Sequence, residues 1–144
     1  MCWKKWRSSA VNALETSIYS LLKDDSGLKT LTGGESRVFN AAAPFGQALP
    51  LAVFSQASGI EENNISTQSI IMRYLVKGIA VRGIIAGQIA ARIDALLNGA
   101  TLSVDGWTAY RKARQETTVR YQERDPSGRV INHSGAVYIV WLEA

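Results

Sequence analysis

The chain has one histidine, His133, and one cysteine, Cys2, among 144 residues. A thiol–imidazole nucleophile needs both groups within hydrogen-bond reach, held by a third group. Here one stands at the chain start and the other opens a late apolar run. A zinc site needs more Cys and His ligands than these two residues supply. Carboxylates occur as adjacent pairs, Asp24-Asp25 and Glu61-Glu62. General acid–base work needs two carboxylates converging on one reacting atom, whereas neighbours along a strand point to opposite faces. Both pairs therefore read as solvated groups, the first at a helix end where it opposes the helix dipole, the second in a loop. Gly33-Gly34 is followed by Glu35 and lacks the glycine spacing and Lys-Ser/Thr pair of a phosphate loop. No G-x-S-x-G occurs. These types and spacings give no positive support for bond-making chemistry. The expectation is a protein that is not an enzyme, with no cofactor and no metal.

Composition sets the alternatives. Apolar residues make up 47% and charged residues 19%, a balance that builds one hydrophobic core. No apolar run reaches the roughly 18 residues of a bilayer span. Residues 78–97 come nearest and carry Arg82, Gln88, Arg92 and Asp94. The basic start, MCWKKWRSSAV, has no long apolar stretch of the signal-peptide kind. Synthesis in the cytoplasm and a reducing environment for the single cysteine are expected. Net charge is +4, with 16 Lys and Arg against 12 Asp and Glu. Small basic clusters stand at Lys4, Lys5 and Arg7, and at Arg111, Lys112 and Arg114. Trp107, Tyr110 and Tyr121 interleave with the second cluster. That pattern suits a base-stacking platform, and it is more often a charged edge strand.

The elements come next. Val11, Leu14, Ile18 and Leu21 recur at helical spacing, so a helix is expected over 8–24, stopped near Gly27. Trp3 and Trp6 extend the same stripe backward. Either the helix starts earlier or this aromatic tail packs on a partner. A brief strand is expected over 37–39, and a Pro-led strand over 50–57. A polar connection, 58–64, then holds Glu61, Glu62, Asn63 and Asn64. The run ENNISTQSIIMRYLVKG at 62–78 reads as the antiparallel partner, with apolar residues on both faces.

Val81, Ile85, Ile89 and Ile93 predict a helix over 80–98. Gly83, Gly87 and Ala91 form a small-residue stripe on it, which permits close approach to a sheet or a second helix. Further strands are expected at 102–104, 107–114, 116–124 and 131–142, with Asp125-Pro126-Ser127-Gly128 as a turn. In the last strand Tyr138, Val140 and Leu142 share one face, and Val137, Ile139 and Trp141 the other. Strands apolar on both sides sit mid-sheet or at a subunit contact. The fold class is therefore α+β, a mostly antiparallel sheet with two main helices packed on it. Residues 8–144 form one domain, and 1–7 a Trp-rich basic extension.

In that order the elements resemble the tail-completion or tail-terminator proteins of long-tailed bacteriophages. The likeness rests on LETSIYSLLKDDSGLKTL passing through a Gly loop to RVF, the Pro-led strand PLAVFSQASG, IIMRYLVKG running into an Ala/Ile helix that ends LLNG, and the closing AVYIVWLEA. The extension before residue 8 lies outside the pattern, and IIMRYLVKG is less acidic and polar than its counterparts. The resemblance implies a virion structural protein: a ring of six copies at the head-proximal end of the tail tube, contacting the tube protein and a neck or connector protein, with DNA passing through its lumen and no membrane. Glu61, Glu62, Asn63, Asn64, Ile71, Arg73 and Leu75 are expected at the contact between copies. Trp3, Trp6, Arg111, Lys112 and Arg114 are expected at the partner-docking surface. Another neck or stopper subunit is the nearest alternative, and a small basic nucleic-acid-binding module is the alternative from a different class.

Overall fold

Helix α1 spans Trp3–Lys23 and buries Ala10, Leu14, Ile18 and Leu22, one residue per turn along a single stripe. The computed structural model describes residues 3–44, 46–63 and 68–143, with side chains over 10–44, 46–59 and 69–143. The backbone of α1 includes Trp3 and Trp6, so the helix begins earlier than residue 8. Burying Leu14, Ile18 and Leu22 gives about 5–9 kcal/mol before entropy is subtracted.

Asp25 then caps a second, short helix, α2 (Ser26–Leu31), by accepting from the Leu28 N–H at 2.8 Å. Arg92, on the long helix α3 (Gly83–Leu97), donates to the same carboxylate through Nε at 2.7 Å and Nη2 at 2.6 Å. Asp25 is thus no solvated helix-end group: it ties α2 to α3 with a forked ion pair. The Arg92 guanidinium holds its carboxyl below the usual carboxylate range, with the Leu28 N–H adding to the effect against the opposing pull of burial.

The strands are β1 (Val38–Asn40), β2 (Leu51–Asn63), β3 (Gln68–Ala80), β4 (Thr108–Ala109), β5 (Arg114–Arg124) and β6 (Val130–Glu143). They form one sheet in the order β1-β2-β3-β6-β4, with β5 also paired to β6. The β1–β2 pair is parallel and the rest antiparallel, so the sheet is mixed at one edge. The expected 58–64 connection is largely strand: β2 crosses a bulge between Gln56 and Ser58 and continues to Asn63. Its polar residues hide it from a hydrophobic-pattern reading, because the backbone ladder with β3 holds it. Residues 102–104 make only an isolated bridge, Val104 to Trp107.

Even-numbered residues of β3 and β6 face the helices. Tyr74 and Tyr138 are cross-strand partners, and each sends its hydroxyl to a different helix. Tyr74 donates to Glu15 of α1 at 3.2 Å, and Tyr138 to Asp94 of α3 at 3.0 Å. Burial raises both phenol pKa values well above their ordinary range, and the facing carboxylates add to it. The close approach of α3 to the sheet occurs at Gly78, where a Cβ would lie 2.5 Å from Ile89 Cγ2. Gly87 meets nothing within 4 Å, and Gly83 lies near Asn132, so the expected Gly83-Gly87 stripe is not the contact. Helix α3 also starts after Val81, which leaves Val81 and Ile84 exposed.

Candidate assembly surface

Both long helices lie on the even face, as Glu15–Tyr74 and Asp94–Tyr138 fix. The odd face of β2, β3 and β6 is closed differently. Leu51, Val53, Ile139 and Trp141 are buried, yet stand outside the main core cluster. Ile139 is 5% exposed and Trp141 7%, with long side chains of the odd face around them instead of a helix.

Two polar bridges run over β6 from β3 to β5. Arg73 pairs with Ile139, which pairs in turn with Arg114 at the start of β5. From there the Arg73 guanidinium reaches Glu116 in the β5 bulge, with Nε at 2.9 Å and 3.0 Å from the two oxygens. Lys77 reaches the Tyr121 hydroxyl the same way and lies 5.0 Å from that ring. The second bridge passes over Gly135, the cross-strand partner of Lys77, where a Cβ would lie 2.2 Å from the Val76 carbonyl oxygen and 2.6 Å from Lys77 Cβ. No residue with a side chain fits there, and its absence lets Lys77 cross.

At one end of this face the expected contact and docking residues meet. Ile71 is the cross-strand partner of Trp141. Arg111 and Arg114 stand over the Trp141 ring at 5.4 and 5.6 Å. Guanidinium over indole holds both cations against the face by cation–π attraction. Leu75 pairs with Val137 farther along, and both are half-buried. Lys112 is exposed. Trp141 is the centre of the group, and the sequence reading missed it. Its signal was its position on the outer face of the last strand, two residues from Ile139.

The other expected residues are partly out of view. Glu61, Glu62 and Asn63 lie on β2 by their backbone, in strand and not in a loop. Their side chains, all of Asn64, and the side chains of Trp3 and Trp6 lie outside the described residues.

The aromatic and basic residues of the possible stacking platform split into two groups. Tyr121 stacks on His133 with centroids 4.4 Å apart, while Arg114 lies at the opposite end of β5, about 20 Å of strand away. His133 is buried, and its Nε2 lies 2.6 Å from Glu123 Oε1. Cys2 lies outside the described residues. Among the described residues no group of three or more His, Cys, Asp and Glu could hold a metal, and no helix is long and apolar enough to cross a membrane.

On the helix side, a groove of about 1000 Å³ with a mixed polar and apolar lining runs between α1 and the segment after α3. Thr16, Ser20, Asp24, Thr101, Ser103 and Asp105 are among its lining residues.

The sequence model of the family described as tail completion protein gp17 matches residues 16–137. A chain from the virion of a native gene transfer agent particle shares the fold with a TM-score of 0.77 and 16% identity, over 94% of this chain and 98% of that one. A second solved chain gives a TM-score of 0.55 at 14% identity, over 92% of this chain and 94% of that one. No protein of curated function matches the sequence.

Proposed function

Since this chain belongs to the tail completion protein gp17 family, we propose that it works as a structural subunit of the virion tail by forming a ring of identical copies. The ring, of six copies, closes the head-proximal end of the tail tube. It offers one surface to the tube protein and another to a neck or connector protein, with DNA passing through the lumen. No bond is made or broken in this reading.

The observation that supports it most is the odd face of the sheet. Ile71, Leu75 and Val137 stand half-exposed there beside Trp141, with no helix layer over them among the described residues. A ring needs two different complementary patches on every copy, because each contact is head-to-tail. Ile71 and Leu75, with the distal part of β2, form one such patch, and Arg73 is already engaged with Glu116 within the chain. The Arg111, Lys112 and Arg114 cluster beside Trp141 is one docking surface for the neck or tube partner, and Trp3 and Trp6 of the N-terminal segment are a separate docking element.

Ile71→Asp tests the reading. It is expected to lower the mass measured by light scattering toward that of a single chain, with the circular dichroism of the wild type. A variant that keeps the wild-type mass sinks the assignment of this face. Copies located at the neck, and not on the tube end, in a virion map give the stopper role in place of the terminator role. Binding to short oligonucleotides that falls steeply with salt marks the nucleic-acid alternative.

A further inference from the structure

The sheet ends in two open strand edges, and they are unlike. Strand β1 covers β2 only where Val38–Asn40 pairs with Ala52–Phe54. Beyond Phe54, β2 continues to Asn63 with β3 on one side and no described strand on the other. At the opposite end β5 pairs with β6 over its whole length and has no described strand on its outer side.

An open edge is a row of unpaired N–H and C=O groups and a template for strand addition, unless charges, proline or a bulge guard it. Gln56, Ala57, Ser58 and Gly59 are exposed, small or uncharged, and include no Lys or Pro. Each edge carries one bulge, at Gln56/Ser58 in β2 and at Gln115/Thr117 in β5, so charge is what sets them apart: β5 has five charged residues. Its two acids are engaged within the chain, Glu116 by Arg73 and Glu123 by His133. Arg120 has no ion pair among the described residues, and Arg124 meets only the Gly128 carbonyl. The β5 edge therefore presents net positive charge. The distal half of β2 carries Glu61 and Glu62 in its sequence and no basic residue.

We infer that β2 beyond Phe54 adds as a strand to the β5 edge of a second copy of this chain, an inference that rests on the ring reading above. The two edges lie at opposite ends of one sheet, so the contact is head-to-tail and joins the sheets of neighbouring copies into one. The positive charge on β5 repels a second β5 and accepts the acidic strand, so the pairing is selective. The backbone polarity identifies a probe. The Ala52 N–H and the Phe54 C=O both point to the β1 side, bonded to Arg37 O and Ala41 N at 2.8 Å. The one-residue bulge passes that outward direction to Gly59, Glu61 and Asn63. A proline at Gly59 therefore removes an outward donor and leaves the β2–β3 ladder intact.

Gly59→Pro is expected to dissociate the oligomer into single chains in sedimentation and light scattering, while Gly59→Ala matches the wild type. Arg120→Glu changes an exposed side chain beside Gly83 at the start of α3, and is expected to raise the dissociation constant about tenfold or more. Adding Glu61→Arg and Glu62→Arg to Arg120→Glu is expected to restore it. An oligomer that keeps its mass with Gly59→Pro, or charge reversal that neither weakens nor rescues, overturns the strand pairing while leaving the ring in place. A wild type that stays monomeric at high concentration overturns both.

Discussion

The two faces of the central β3–β6 pair are sealed by different means. On the even face α1 and α3 bury Met72, Val76, Val140 and Leu142, and the two tyrosines tie one helix each to the sheet. On the odd face no helix arrives among the described residues, and side chains from β3, from β5 and from the segment before β5 meet over β6. A helix layer is a permanent part of the core. A cover of long side chains can be displaced when another surface docks, because exposed ion pairs contribute at most about 1 kcal/mol each. The difference separates the face that folds the chain from the face available for assembly.

The largest expected effect tests how the two polar bridges fit over β6. Gly135→Ala places a Cβ against the Val76 carbonyl and the Lys77 backbone, neither of which can swing aside. It is expected to destabilise by about 3–5 kcal/mol, through separation of β3 from β6. Gly87→Ala is the control: its Cβ meets nothing, and removing a helix glycine is expected to stabilise by about 0.5–1 kcal/mol. Denaturant midpoints of the two variants read both signs. A tolerated Gly135→Ala breaks the account of how β3 and β6 approach.

A truncation on each face of one strand sharpens the contrast. Val140 is buried against the helices and Val137 is half-buried on the odd face. Val140→Ala is expected to cost about 2–3 kcal/mol in the isolated chain, and Val137→Ala less than about 1 kcal/mol. In the assembled form the order narrows, because a docked surface buries Val137 further. Unfolding of both variants at low and high protein concentration measures the change. Equal costs at low concentration remove the distinction between the faces.

How much of this was legible in the sequence depends on what holds each element. The stripe Leu14, Ile18 and Leu22 and the two-sided strand ending at Leu142 announce themselves, because burial writes hydrophobic periodicity directly into the chain. The distal half of β2 does not. Its residues are polar, small and acidic, and only hydrogen bonds to β3 make it a strand. Asp25 reads as a surface charge because its partner Arg92 is 67 residues away. Gly78 and Gly135, the real points of close approach, lie in strands whose register no local pattern gives. Of the candidate surface, Ile71 and Leu75 were legible as the second apolar face of their strand. The convergence of Arg111 and Arg114 on Trp141 was not, since it depends on how β4 and β5 share one edge of β6.

The smallest expected effects come from the ion pairs, and they differ between the faces. On the helix side Asp25 accepts from both Arg92 and the Leu28 N–H, and its folded pKa is lowered, first by the Arg92 hydrogen bond. A lowered carboxylate pKa stabilises the fold above the unfolded value of about 3.9, and that contribution is lost as pH falls through the folded value. Asp25→Asn is therefore expected to be less stable than wild type at pH 7, by about 1 kcal/mol from the weakened cap and lost pair. The gap closes as the pH drops below the carboxylate range. Arg73→Ala removes a half-exposed pair on the odd face and is expected to shift monomer stability by less than about 1 kcal/mol at pH 7. Denaturation midpoints at pH 7 and in acid separate the two. If the Asp25→Asn gap persists in acid, the carboxylate is not what ties α2 to α3. If Arg73→Ala unfolds the chain as strongly as a core truncation, the bridge over β6 is part of the core, and the odd face is not free to exchange its cover for a neighbour.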